Sequence, residues 1–476
     1  AMFVYSEEYW HTRSTGASRN DRIHPSTSEI NSALTNVQSN SGSSASEGLR
    51  SYIGRMNYSA YDKYLLEFSF RVDGSSKFIK GHQYGFFPTV AVGWRFTEEE
   101  FLKKYLSSWL SSGKLRASWG KLGDNSGVGR FEQLETLTAM NYMSSDVVKG
   151  FVNKKMINKD LSWEVSTDIN VGLDLGFLNN RLRTEIDFYN RLRTGMNRPS
   201  QMSIHLTGAY SAPRANIGDL LNRGLELNLT WKDKIGNVEY SVNLNGAYNR
   251  TVLKEWNEFL SRGWVYLDMP YHFLYVYENN GIAQTWQDIY NNTPQGLSPG
   301  DVIRKDLNGD GIIDGKDKKA YPNIQRDRPT TTYGITLQAA WKGFDISMLF
   351  NGGLGRKDFW LTDFNNTAFA DRRYASTWDH WTEPWSLENR GGEWPRLGTS
   401  TDRSDNSYWL YNMNYLRMKN IMLGYNLPKK LLSKISMTNL RIYASAENLF
   451  TVTQYPGLDP EKKNSARDLY PINRSF

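Results

Sequence analysis

Apolar and polar residues alternate with period two along most of this chain. The longest run is 163–177. Trp163, Val165, Thr167, Ile169, Val171, Leu173, Leu175 and Phe177 alternate with Glu164, Ser166, Asp168, Asn170, Gly172, Asp174 and Gly176. Successive side chains of a strand point to opposite faces, so the run predicts an apolar face of about 45–50 Å at roughly 3.3 Å per residue. Strands of globular proteins usually hold about 3–10 residues. A tilted membrane strand that continues past the bilayer fits this length better. Leu178-Asn179-Asn180-Arg181 then predicts a tight turn, because Asn tolerates positive φ. Further apolar rows are Leu182-Thr184-Ile186-Phe188, Leu225-Leu227-Leu229-Trp231 and Val238-Tyr240-Val242-Leu244. Others run from Pro88 to Phe96, Tyr333 to Trp341, Phe344 to Phe350 and Leu440 to Ala446.

The connections between these rows alternate in length. Short or compact ones fall at 60–62, 97–112, 178–181, 233–237, 342–343 and 427–438. Long ones fall at 73–84, 123–160, 193–219, 250–331, 351–410 and 452–470. Outer-membrane barrels alternate short periplasmic turns with long extracellular loops in this way. A soluble β-sandwich, the plainer alternative, explains neither the strand length nor the charged, amide-rich second face. The fold class is therefore all-β, a transmembrane antiparallel β-barrel. Twelve strands are firm, and two candidates lie between 262 and 284, at Gly263–Tyr266 and Phe273–Tyr277. A short helix is expected at Glu98–Trp109. A barrel enclosing a plug needs about 22 strands. Open sheet edges do not sit in lipid, so further chain is expected before Ala1 and a final strand after Phe476. That strand opens at Leu469–Phe476. Residues 1–48 read as an extracellular loop or a preceding barrel segment, and 49–476 as the C-terminal portion of the barrel.

Composition narrows the classes further. The 476 residues include no Cys, which excludes disulfides, thiol nucleophiles and Cys-ligated metals. Aromatic residues reach 14%, which suits interfacial girdles. No apolar run approaches the roughly 18 residues of a membrane helix. The net charge of +7 is spread among acids, as in Arg181-Arg183-Glu185-Asp187, and reads as solvated surface with no nucleic-acid partner. The opening Ala1-Met2-Phe3-Val4-Tyr5 has no leader-peptide pattern.

Several segments resemble SusC/RagA-type TonB-dependent transporters of the Bacteroidetes outer membrane. They include Gly54–Tyr58 with Asp62–Leu66, Phe70–Phe78, Gly85–Arg95 and Lys114–Gly120. Asp160–Glu164, Gly172–Asp174, Asn222–Leu227, Tyr415–Ile421, Leu423–Pro428, Leu440–Tyr443 and Asn448–Thr451 follow in the family's order. The resemblance covers roughly 49–476. It implies a plugged barrel in a Gram-negative outer membrane and import driven by TonB–ExbB–ExbD through a plug. It also implies a SusD-like lipoprotein lid, and a dimer of transporter–lid pairs. Oligosaccharide is the expected cargo, with oligopeptide as the alternative. The plug and TonB box do not occur in these residues. A non-transporting structural or adhesive barrel is a second class.

One compact ligand motif stands out. Asp306, Asn308, Asp310, Ile312 (through its carbonyl), Asp314 and Asp317 occupy positions 1, 3, 5, 7, 9 and 12 of a calcium loop, with Gly311 at position 6. Position 12 is Asp where the EF-hand has Glu. The expectation is a structural calcium, with no organic cofactor. The bland alternative is an Asx-rich turn that holds itself. The 351–410 loop carries Trp360, Trp378, Trp381, Trp385 and Trp394 beside Arg372 and Arg373. Trp378, Trp381, Trp385, Trp394, Arg372 and Arg373 are the candidate ligand contacts, since aromatic faces beside charged groups suit sugar rings. The alternative is loop packing. The six His residues are scattered, and no nucleophile–base pair or nucleotide fingerprint supports an enzyme.

Overall fold

The computed structural model describes residues 1–476 except 22–23, 25, 27–28, 34–37, 107–108, 144–146, 154, 208–210, 259–265, 271–272, 327, 360–382, 397–405, 434–436, 458 and 462–471. Among the described residues one antiparallel sheet of thirteen strands dominates. Its strands follow chain order: β1 (Met2–Arg19), β2 (Gln38–Ala60), β3 (Tyr64–Ser75), β4 (Tyr84–Trp94), β5 (Leu110–Asp124) and β6 (Glu164–Phe177). Then come β7 (Leu182–Thr194), β8 (Gly218–Ile235), β9 (Val238–Trp256), β10 (Thr331–Trp341), β11 (Phe344–Leu354), β12 (Tyr415–Asn426) and β13 (Arg441–Thr453). Each strand pairs only with its sequence neighbours, and β1 and β13 are the two edges.

The register sorts the side chains into two faces. Leu115, Leu173, Ile186 and Leu227 align across β5 to β8. Leu229, Leu244, Ile335 and Phe350 continue that face across β8 to β11. One residue along, Arg116 aligns with Gly172, Gly172 with Asp187, and Asp187 with Glu226. Aromatic rings edge the apolar face on the short-turn side. Trp94 packs on Phe96 at 5.9 Å, Trp109 on Phe177 at 5.8 Å and Phe344 on Tyr425 at 4.3 Å. The Trp231 Nε1 donates to the Tyr240 hydroxyl at 3.2 Å. Along β9, Tyr240 and Tyr248 lie on this face eight residues apart, about 27 Å at ~3.4 Å per residue. That is the span expected between two interfacial girdles.

The tight turns use the expected residues. Leu178, Asn179 and Asn180 have φ of 53, 57 and 60°, and Lys342-Gly343 has 46 and 92°. The helix between β4 and β5, α1, spans Glu100–Leu106, after a 3-10 turn at Phe96–Glu98. It is shorter than the expected Glu98–Trp109.

Two expectations change. The candidate strands at 262–284 are not barrel wall: Phe273–Tyr277 pairs with Lys318–Gln325, and Asn279–Ile282 with Val302–Arg304, in two small separate sheets. Gly263–Val265 lies outside the described residues. Trp163 heads the longest apolar row yet does not reach lipid. It is buried above the wall with Phe78, Phe87, Val128 and Leu161, and its Nε1 donates to the Gln83 carbonyl at 3.0 Å. The outer part of that row thus belongs to a loop core. Residues 2–19, where no motif was evident, form β1, paired along its whole length with β2. At the far edge the Glu447 amide donates to the Ser475 carbonyl at 2.8 Å. Residues 469–471 of the expected last strand lie outside the described residues.

The faces make a direct prediction. Leu227→Arg places a charge on the lipid face and should cost about 2–4 kcal/mol near midplane. Asn228→Arg faces Glu185, whose carboxylate accepts from Asn228 Nδ2 at 3.2 Å, and should cost far less. Urea titration of the refolded barrel in liposomes, read by electrophoretic mobility, checks the difference. Equal losses would refute the face assignment.

Candidate functional site

The polar face is a wall of cross-strand ion pairs. The Arg116 guanidinium donates to Asp174 at 2.7 Å and to Asp187 at 2.9 Å, bridging β5, β6 and β7. It passes directly over Gly172, where an added Cβ would lie 2.6 Å from the guanidinium. Glycine lets the Arg116 and Asp187 ends meet there, and a side chain would push them aside. Toward the long-loop end Arg191 pairs with Asp168, and Arg193 with Asp124 and Glu164. Across β8 and β9 the chain becomes amides: Asn243 Nδ2 donates to Asn228 Oδ1 at 2.7 Å. Arg441 and Asp345 close the series on β11 and β13. This wall can hydrate or contact a polar body inside the barrel. Arg116, Asp174 and Asp187 satisfy one another laterally, so this cluster leaves little free charge to trap that body.

Above the wall the long loops fold into a layer with its own core. Leu274, Val276, Phe359 and Trp409 are buried together, with Tyr321, Trp394 and Tyr408 packed around them. Ionic staples tie the layer to the strands. Arg417 on β12 bonds Asp459 at 2.7 Å and also pairs with Glu461, while Arg356 Nη1 donates to the carbonyls of Pro460 and Glu461. Both guanidiniums are only 2% exposed, and each of their nitrogens has an acceptor, which offsets the cost of burying the charge. Arg396 pairs with Asp301 at 2.8 Å. The Tyr321 hydroxyl donates to Glu278 at 2.6 Å. Burial, then that bond, pushes the Tyr321 phenol up to about 12, and the same bond holds Glu278 below the usual carboxylate range.

Two of the candidate ligand contacts are described, and both pack within this layer. Trp385 is buried, and its Nε1 donates to Gln284 Oε1 at 2.8 Å. The Trp394 ring lies tilted against Trp409 at 6.3 Å, and its carbonyl accepts from the Trp385 amide at 2.7 Å. Trp360, Trp378, Trp381, Arg372 and Arg373 lie outside the described residues.

The 306–317 loop is organised by its own carboxylates. Asp306 accepts from the Gly309 and Gly311 amides at 2.6 and 2.9 Å, Asp310 from Ile312 at 3.0 Å, and Asp314 from Lys316 at 2.8 Å. Asn308 Oδ1 accepts from the Asp310 amide at 2.9 Å. Asp317 is fully buried and takes the Asp314 and Leu307 amides at 2.8 and 2.9 Å. These bonds, the Asp314 amide foremost, hold the Asp317 carboxyl below its ordinary range. Gly311, at φ +80°, makes the sharp bend expected at position 6. Among the described residues the carboxylates do not converge into a metal-holding set. As placed, the set does not fit a calcium ion: position 12 has both oxygens on amides and points none outward.

The sequence motif did not reveal Arg356, Arg417 and Asp459, which lie far apart in the chain. A buried-charge triad of this kind leaves no local spacing to read. For the 306–317 loop, Asp317→Ala should raise amide hydrogen exchange at Leu307 and Asp314 by an order of magnitude or more, since a charged acceptor is worth about 1.5–3 kcal/mol. Added calcium should leave the wild-type rates unchanged. Slower exchange with calcium would show that the side chains turn to a metal.

Comparison with known proteins adds the following. Residues 5–449 match the family model described as TonB dependent receptor-like, beta-barrel. TonB-dependent receptor P3 of Formosa agariphila is 30% identical over 440 residues, covering 87% of this chain and 42% of that protein. TonB-dependent receptor SusC of Bacteroides thetaiotaomicron is 30% identical over 447 residues, covering 90% of this chain and 43% of that protein. The structure of the RagAB peptide transporter superposes with a TM-score of 0.76 at 23% identity, covering 96% of this chain and 50% of that one. The chain thus spans less than half the length of these curated relatives.

Proposed function

The chain belongs to the TonB dependent receptor-like β-barrel family, in its SusC/RagA branch and in the outer membrane, and we propose that it forms the substrate-side wall of an active importer. The proposed cargo is an oligosaccharide, passing between the loop layer, a SusD-type lipoprotein lid and a plug. TonB–ExbB–ExbD would pull on that plug. The observation that carries the reading is the laterally paired polar wall. Arg116, Asp174 and Asp187 satisfy one another across three strands, so a plug can rest against them and still be released. An inward face lined with unpaired charge would bind the plug too tightly to move.

The wall acts by electrostatics alone in this reading. Its ion pairs keep the interior wet, while the apolar face holds the barrel in lipid. The loop layer supplies a rigid mouth, because Arg356 and Arg417 fasten 459–461 to the strand ends. Trp378, Trp381, Arg372 and Arg373 are proposed as ligand contacts, while Trp385 and Trp394 pack within the loop layer. Oligopeptide is the second reading, because the RagAB protein is described as a peptide transporter.

Native mass spectrometry of the complex drawn from its own outer membrane in mild detergent tests the cargo. The expected spectrum shows a lid-sized lipoprotein and a hexose-spaced ligand ladder. A heterogeneous peptide envelope would replace the glycan reading with the peptide one. A barrel with neither lid, plug nor ligand would overturn import.

A further inference from the structure

The connection between β4 and β5 does not hang into solvent but is folded back against the outside of the wall. The Phe96 ring covers Gly113, where a Cβ would sit 2.3 Å from its Cζ. Trp109, at the other end, stacks on Phe177 with rings 22° apart. Gly113 pairs with Leu175, so both contacts fall on the apolar, lipid-facing side. Glu99, just before α1, is buried against the same rim. It accepts from the Tyr64 hydroxyl at 2.6 Å, Trp94 Nε1 at 3.2 Å and Lys63 Nζ at 3.3 Å. The Tyr64 bond leads in holding its carboxyl below the ordinary range.

Pinned in this way, α1 turns large side chains outward at the level of the aromatic girdle. Phe101 is 64% exposed, Tyr105 74% and Trp109 52%. Phe101 and Tyr105 are one turn apart and share a face. Lys103 and Lys104 are exposed beside them, Lys103 lying 3.9 Å from the exposed Glu98 carboxylate. The β12–β13 connection on the same rim repeats the combination. Its helical turn Lys429–Leu432 exposes Lys429, Lys430 and Leu431 and buries Leu432. No acid occurs between Leu427 and Leu440.

We infer that the short-turn rim docks on anionic phospholipid headgroups, with α1 as an interfacial anchor. Phe101, Tyr105 and Trp109 would enter the headgroup–acyl boundary, and Lys103, Lys104, Lys429 and Lys430 would meet phosphates. Two features of the molecule select lipid over a protein partner. The exposed rings follow directly on the Phe96–Gly113 and Trp109–Phe177 contacts of the lipid-facing side, and the exposed lysines of the β12–β13 turn, with no acid in that connection, match the charge of an anionic bilayer surface, while at α1 Glu98 and Glu100 offset Lys103 and Lys104. The inference rests on the membrane placement of the barrel given above.

The test uses the full-length transporter purified from the outer membrane. The probes are equimolar phosphatidylglycerol and phosphatidylethanolamine of matched chains, with bound lipid counted by native mass spectrometry. The wild type should favour phosphatidylglycerol. Replacing Lys103, Lys104, Lys429 and Lys430 by Gln should cut that preference at least about fivefold, the equivalent of one lysine's contribution near such a surface. Phe101→Ser with Tyr105→Ser should instead lower binding of both lipids alike. Heat-dependent gel mobility confirms that each variant is a folded barrel. An unchanged lipid ratio in the folded lysine variant overturns the inference. Failure of the wild type to fractionate with the outer membrane would overturn the membrane placement itself.

Discussion

A strand that crosses a bilayer finds no water for its backbone, so each N–H and C=O must be met by another strand. Here that demand is answered by thirteen strands paired strictly in chain order. Leu227, for example, lies between Ile186 on one side and Gly246 on the other. Everything else follows from that pairing. Chain-order antiparallel neighbours need only tight turns at one end, which Asn179-Asn180 and Lys342-Gly343 supply through positive φ. The other end is free to carry long loops.

Pairing also fixes which chemistry stands where. With a side-chain period of two, register puts Leu173, Ile186 and Leu227 in one row and Gly172, Asp187 and Glu226 in the next. The apolar row faces lipid. The polar row faces a wet interior and spends its charges on its neighbours, as Arg116 does with Asp174 and Asp187. Gly172 fits this purpose: a side chain there would displace the guanidinium that spans three strands. The loop layer follows a different rule, with a dry aromatic core and buried Arg–carboxylate staples, and so behaves as a small globular body seated on the wall.

The wall was almost wholly legible from the residues, because alternation and turn chemistry are local signals. Twelve strands fall where the rows of Leu, Ile, Val and aromatic residues put them. The failures share one cause. Trp163 and Phe273–Tyr277 carry β-rich, apolar patterns that match membrane strands. Yet both are buried in loop cores, and a periodic apolar run cannot say whether lipid or protein covers it. Residues 1–48 stayed open between a loop and a barrel segment for the opposite reason: the Ser-, Thr- and Glu-rich residues of β1 alternate weakly, and it is recognised only by its pairing with β2. The ionic staples were invisible because Arg356, Arg417 and Asp459 meet only in the folded loops. The 306–317 spacing was plain to read, but the spacing alone does not tell whether the carboxylates turn toward an ion or toward their own amides.

The central claim is the division of each strand into a lipid side and a lumen side. Cysteine scanning of Gly224–Trp231 in native outer-membrane vesicles tests it most directly, since this chain contains no Cys of its own. Each position is labelled with a water-soluble maleimide and, separately, with a lipid-partitioning one. The account predicts strict alternation: Leu225, Leu227, Leu229 and Trp231 react with the lipid-partitioning reagent, while Glu226, Asn228 and Thr230 do not. Uniform labelling along the strand, or the opposite phase, would contradict it.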